Sequence, residues 1–231
     1  MNKERQKERK IHWALDVSII IMLGYALLLS VGVQGAETKA KVGGTFVNGN
    51  ESIVFTGSLD SKWETEKYQG VFEADYAYKA EDSNQTINKF KTSGKLIKSL
   101  TEKHYIVTTG SYDYDEFRDN QDRIVMGAGH GYKILRTDRH KASIENSVAY
   151  LLSNGNNEPI IRSSLWYAFN LTTKVKFTNK MLWESGDDDY LRNETAFDYS
   201  LTDKVTVGLK NVYTKDPIEY SIFNITLGVK F

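Results

Sequence analysis

Apolar and polar residues alternate along most of this chain, and the alternation is cleanest at the carboxy terminus. Phe223, Ile225, Leu227, Val229 and Phe231 take every second position, with Asn224, Thr226, Gly228 and Lys230 between them. Successive side chains of an extended strand point to opposite faces, so residues 220–231 carry one oily face and one polar face. The same period recurs upstream. Val205, Val207, Leu209 and Tyr213 stand against Thr206, Gly208, Lys210 and Thr214. Phe197, Tyr199 and Leu201 stand against Glu194, Ala196 and Asp198. Val175, Phe177, Met181 and Trp183 oppose Lys176, Thr178, Lys180 and Glu184, and Ile161, Leu165, Tyr167, Phe169 and Leu171 share the face of another strand. Seven more strands are expected at 42–48, 52–59, 68–79, 86–97, 105–114, 124–135 and 142–152, the fourth of them weakly patterned. The total is twelve, or ten if the weak early region loses a hairpin.

The connections alternate in kind. Ser99-Leu-Thr-Glu-Lys103, Asn170-Leu-Thr-Thr-Lys174 and Ser200-Leu-Thr-Asp-Lys204 are near copies, and Leu135-Arg-Thr-Asp-Arg139 takes an equivalent place. The connections between them are longer or more acidic, as at Glu81-Asp82-Ser83-Asn84 and Asp187-Asp188-Asp189. Short turns at one end and variable loops at the other predict an antiparallel up-and-down barrel that spans a membrane, apolar toward lipid and polar toward the lumen. A soluble barrel or sandwich would turn the oily faces inward. The membrane reading also gives a place to Trp183, Tyr167, Tyr190, Tyr199, Tyr213 and Tyr220, which fall near strand ends as interfacial aromatic girdles do.

The amino terminus differs. Lys3, Arg5, Lys7, Arg9 and Lys10 precede an apolar run from Val17 to Val33, and small residues follow at Gly35 and Ala36. This is the layout of a secretory signal peptide over residues 1–36, with an uncleaved anchor helix as the alternative. The barrel domain is then 37–231. Losing residues 1–36 removes five basic and three acidic groups, which leaves 25 basic against 27 acidic. That balance gives no global field for binding nucleic acid. The 231 residues include no cysteine, which excludes a disulfide framework and thiolate chemistry. A negative mean hydropathy argues against a helical membrane protein but suits a barrel, where every second residue faces water.

Few side chains suggest chemistry. Gly127, Gly129 and Gly131 lack the following helix that a phosphate loop needs, and read as close-approach positions in a barrel wall. The aspartates 187–189 lack calcium-loop spacing and read as a solvated loop. His104, His130 and His140 have no recognisable Ser or Asp partner nearby in sequence, so no catalytic residue, cofactor or metal site is expected. The polar faces hold charges of both signs. Arg162, Lys176, Lys180, Glu194, Asp198 and Lys210 are the candidate lumen charges, with pairing expected between the lysines and Glu194 or Asp198.

Asn48-Gly-Asn-Glu51, Tyr112-Asp-Tyr-Asp-Glu-Phe117, Arg123 with Gly127-Ala-Gly-His-Gly-Tyr132, Asn193-Glu-Thr195 and Thr226-Leu-Gly-Val-Lys-Phe231 occur in an order that resembles the bacterial family of salt-induced outer-membrane proteins, a domain of unknown function. His130 departs from that pattern, where an apolar residue is usual. The stripe Phe223, Ile225, Leu227, Val229 and Phe231 also resembles the carboxy-terminal signal by which outer-membrane proteins engage the barrel-assembly machinery. The resemblance implies a bacterial outer-membrane barrel of undefined activity, and the whole reading leads to the expectation of a monomer in contact with outer-membrane lipid, with a structural or weakly pore-forming role. A porin-like channel for small solutes or ions and an outer-membrane hydrolase are the alternatives.

Overall fold

The computed structural model describes residues 37–47, 52–81, 84–116, 121–153, 156–186, 189–216 and 218–230. The expected signal segment, Phe231 and Asp187–Asp188 of the acidic loop lie outside the described residues. All the described elements are strands: β1 Glu37–Val47, β2 Ser52–Glu64, β3 Tyr68–Glu81, β4 Asn84–Ser99, β5 His104–Asp115, β6 Asp122–Arg136, β7 His140–Ser153, β8 Asn156–Asn170, β9 Val175–Ser185, β10 Tyr190–Ser200, β11 Val205–Asp216 and β12 Ile218–Lys230. Each pairs antiparallel with its chain neighbours. The sheet closes where β1 meets β12, from Lys39↔Lys230 to Gly44↔Ile225. Closure satisfies every edge, which a sheet in hydrocarbon requires. Strands of 11 to 16 residues match or exceed the roughly 9–11 that cross a bilayer, so the longer ones extend past the hydrocarbon.

The outer face carries the oily stripes. Phe223, Ile225 and Leu227 are more than half exposed, while Asn224 and Thr226 between them are buried toward the lumen. Near the short turns, one row in register runs His140↔Phe169↔Phe177↔Phe197 across four strands. His140 stacks on Phe169 at 4.4 Å, and Phe177 meets Phe197 at 4.9 Å. This is the outward aromatic belt that a membrane interface selects. Tyr167 and Tyr199 belong to the outer face there. Tyr190 does not: its ring lies inside, 2% exposed, under the Arg123 guanidinium at 4.9 Å. Its position at a strand end could not distinguish the two sides.

The repeated turn has a physical cause. Thr101, Thr172 and Thr202 each direct a backbone N–H to the carbonyl three residues on, while the threonine hydroxyl accepts the N–H of that same residue. Thr137 does the same with His140, and so does Thr65 with Tyr68, a fifth copy hidden by its dissimilar flanks. Leu171 and Leu201 lie in these turns and not on strand faces. The carbonyls of Lys67, Lys103, Arg139, Lys174 and Lys204 each accept an N–H from the neighbouring hairpin, tying the five turns into one rim.

Candidate functional site: the barrel lumen

Odd and even positions sort the charges before any contact forms. The polar face of every strand turns inward, and twelve strands bring together residues that are far apart in sequence. Lys180 on β9 pairs with Glu73 on β3. Half the strands separate these two around the wall, so their contact crosses the lumen. On β10, Arg192 reaches Asp75 on β3 at 3.3 Å and Glu194 at 2.7 Å. Lys210 on β11 lies 3.0 Å from Glu194 and 3.6 Å from Asp75. The result is a girdle of alternating charge across the middle of the barrel.

A second cluster lies beside it. Glu184 is 2% exposed and is gripped by Arg123 and by Arg162, whose Nε lies 3.1 Å from Oε1. Charges removed from water this far persist only when paired with good geometry. Lys91 makes no ion pair of this kind among the described residues. Its ammonium meets the Tyr190 hydroxyl at 3.3 Å and lies 5.4 Å from the ring centroid. Above the girdle, Val125, Ala149 and Ile160 form a small apolar cluster inside the wall, with Leu151 against it.

Two cavities flank the girdle, and Asp75, Lys91 and Arg192 line both. The smaller, ≈60 Å³, lies toward the variable loops; the buried oxygens of Thr214 and Asn224 border it. It has room for several waters at about 10–15 Å³ each. The larger, ≈550 Å³, reaches the short-turn rim at Lys62, Glu64, Lys133 and Arg136. Nine basic and five acidic side chains line it, a bias invisible in the balanced charge of the whole chain.

Of the candidate lumen charges, the structure brings together Lys210 with Glu194 and leaves Lys180 across from both Glu73 and Glu194. Asp198 pairs instead with Lys41 of β1 at 2.8 Å, and Arg162 with Glu184. Lys176 sits opposite Asp198 in the register, yet makes no ion pair among the described residues. Sequence reasoning missed Arg192, Arg123, Lys41 and Glu145. Arg192 was detectable, because it shares the parity of Glu194 two residues on. The other three depend on closure. Among the described residues, His104 Nδ1 lies 3.0 Å from His130 Nε2 on the outer face, and His140 Nδ1 lies 2.9 Å from the Tyr167 hydroxyl. Gly127, Gly129 and Gly131 lie along the inner face of β6. At Gly129 an added Cβ would fall 2.2 Å from the Asn146 carbonyl oxygen, so the strands approach too closely there for any side chain.

The barrel is similar to solved outer-membrane structures at low identity. The NanC porin superposes with a TM-score of 0.53 at 11% identity, over 85% of this chain and 99% of that one. The KdgM porin, solved in complex with disordered oligogalacturonate, gives 0.51 at 6% identity, over 84% and 98%. An outer-membrane channel of Pseudomonas putida F1 gives 0.52 at 10%, over 86% and 95%. Such identities establish the shared barrel fold alone. By sequence the chain is 24% identical over 137 residues to the uncharacterized protein YdiY of Escherichia coli K12. That match covers 57% of this chain and about half (54%) of YdiY. Residues 40–217 match the family described as protein of unknown function, DUF481. The closed twelve-strand barrel with its charged lumen therefore belongs to the DUF481 family.

Proposed function

We propose that this chain is an outer-membrane barrel that acts as a narrow, weakly conducting pore for small solutes or ions. One observation carries the reading: a cavity of ≈550 Å³ opens at the short-turn rim and ends at ion pairs spanning the lumen from β9 to β3. A purely structural wall of this size needs no such cavity, because small barrels fill their interiors with side chains. An open porin needs no such girdle. The outward aromatic belt and oily stripes support placement in the outer membrane. The short turns would face the periplasm, with export directed by residues 1–36 and the stripe from Phe223 to Val229 presented to the assembly machinery. The porin-like neighbours support the same reading. No observation favours a hydrolase, since the described histidines engage only one another, tyrosine and neighbouring aromatic rings.

Planar-bilayer recording of the refolded protein tests this. Small conductance steps are expected, and the Glu73→Ala/Lys180→Ala double variant should enlarge them by removing one bar of the girdle. If neither protein shows steps, the role is structural.

A further inference from the structure

At the short-turn end of the lumen, β6 and β7 set like charges against each other. Arg136 and Lys141 are direct cross-strand partners, and Lys133 lies in the same corner. Facing cations destabilise an antiparallel pair, and a neighbouring carboxylate or bound anion relieves this. The local carboxylates are already engaged. Glu64 pairs with Lys62 at 2.8 Å and feels Arg136 and Lys133 only from beyond ion-pair distance. Glu145 accepts from Lys95 at 2.6 Å, from the Tyr105 hydroxyl at 2.9 Å and from the Ser164 hydroxyl at 3.2 Å. Lys133, Arg136 and Lys141 have no carboxylate within 4.0 Å among the described residues.

A β-bulge builds this corner. The register slips between Lys133 and Leu135, so Ile134 is the extra residue. Without the slip, Arg136 would share the outward parity of Tyr132. With it, Arg136 pairs with Lys141 and lines the cavity. Bulges commonly re-aim a side chain in this way beside a site.

The same cavity floor carries a lateral row in register, Lys133↔Ser143↔Trp166↔Lys180. At roughly 4.8 Å between strands, cation, hydroxyl, indole and cation succeed one another over a span matching one or two sugar rings. All four line the cavity, whose ≈550 Å³ falls within the usual range for ligand sites, about 300–1,000 Å³.

We propose that this vestibule binds a small acidic saccharide. Its carboxylate lies between Arg136, Lys141 and Lys133, a ring face rests on Trp166, and hydroxyls bond Ser143. The inference deepens the pore reading by naming the solute class, and it rests on that reading for a route through the lumen. A carboxylate suits the planar Arg136 donor fork, and the indole adds a face that inorganic anions cannot use.

The test is a titration of the intact refolded protein in detergent, read by tryptophan fluorescence, with digalacturonate, maltose, inorganic phosphate and an acidic tetrapeptide as probes. Saturable quenching by digalacturonate is expected, absent with maltose and weaker with phosphate or peptide. Trp166→Phe should remove the signal. Arg136→Gln and Lys141→Gln should each weaken binding by about tenfold or more. Lys141→Gln also removes one of two facing cations, so its melting temperature should not fall, and lost binding cannot then be ascribed to misfolding. Equal responses to phosphate or peptide, or no saturable response to digalacturonate, overturn the saccharide site. Conductance separates the two readings: steps without binding sink this proposal alone, and binding without steps sinks the pore alone.

Discussion

Glu184 is the side chain on which the buried charge of β6, β8 and β9 depends. It holds two guanidiniums, from Arg123 and Arg162, that its own strand could never supply. Replacing it by glutamine keeps the shape and removes the one carboxylate that both guanidiniums share. The expected loss is about 3–5 kcal/mol, measured by urea unfolding of the lipid-refolded protein. A loss below about 1 kcal/mol, as for an exposed pair, would mean that water reaches this cluster. Residue chemistry was partly legible beforehand. Arg162 was recognisable as a lumen cation by parity, but its carboxylate partner was not. Lys176 looked equivalent to Lys180 and Lys210, yet of the three only those two make ion pairs among the described residues.

At the scale of the strand, parity decides which solvent a residue meets. Leu209 lies outward, 45% exposed, in line with Phe197 and Ile225; Lys210 beside it is an ion-paired lumen residue. Leu209→Lys should therefore cost up to about 1 kcal/mol if Leu209 lies level with the interfacial belt that Phe197 belongs to, and about 2–4 kcal/mol if strand tilt carries it to the bilayer midplane. The check is equilibrium unfolding in bilayers beside wild type, and a cost near zero would place the row in water. The turns show how local signals mislead at the margins. Four copies of the threonine turn could be aligned by their residues, whereas the copy at Thr65 shares the hydrogen bonds but few of the letters. Tyr190 was assigned to a girdle by its place near a strand end, but the lumen claims it because Lys91 and Arg123 need its ring and hydroxyl.

The whole molecule is a closed hydrogen-bonded cylinder, so its cooperative unit is the full circuit from β1 to β12. A barrel of this kind should resist detergent. The mature protein is expected to migrate faster on electrophoresis without boiling than after boiling, when the circuit opens. Identical mobilities would argue against the closed barrel. Antiparallel order, the oily outer face and the alternation of short and long connections were set by the chain alone, and the strand number was narrowed to twelve or ten. Each depends on a period of two or on a few turn residues, and both act over a handful of neighbours. The lumen was decided only by closure. Glu73 meets Lys180 and Asp75 meets Arg192 because curvature brings strands five or six places apart around the wall face to face, and the bulge at Ile134 swings Arg136 inward into the space so enclosed. No local period carries that information, since the distance across a barrel depends on how all twelve strands tilt and close together.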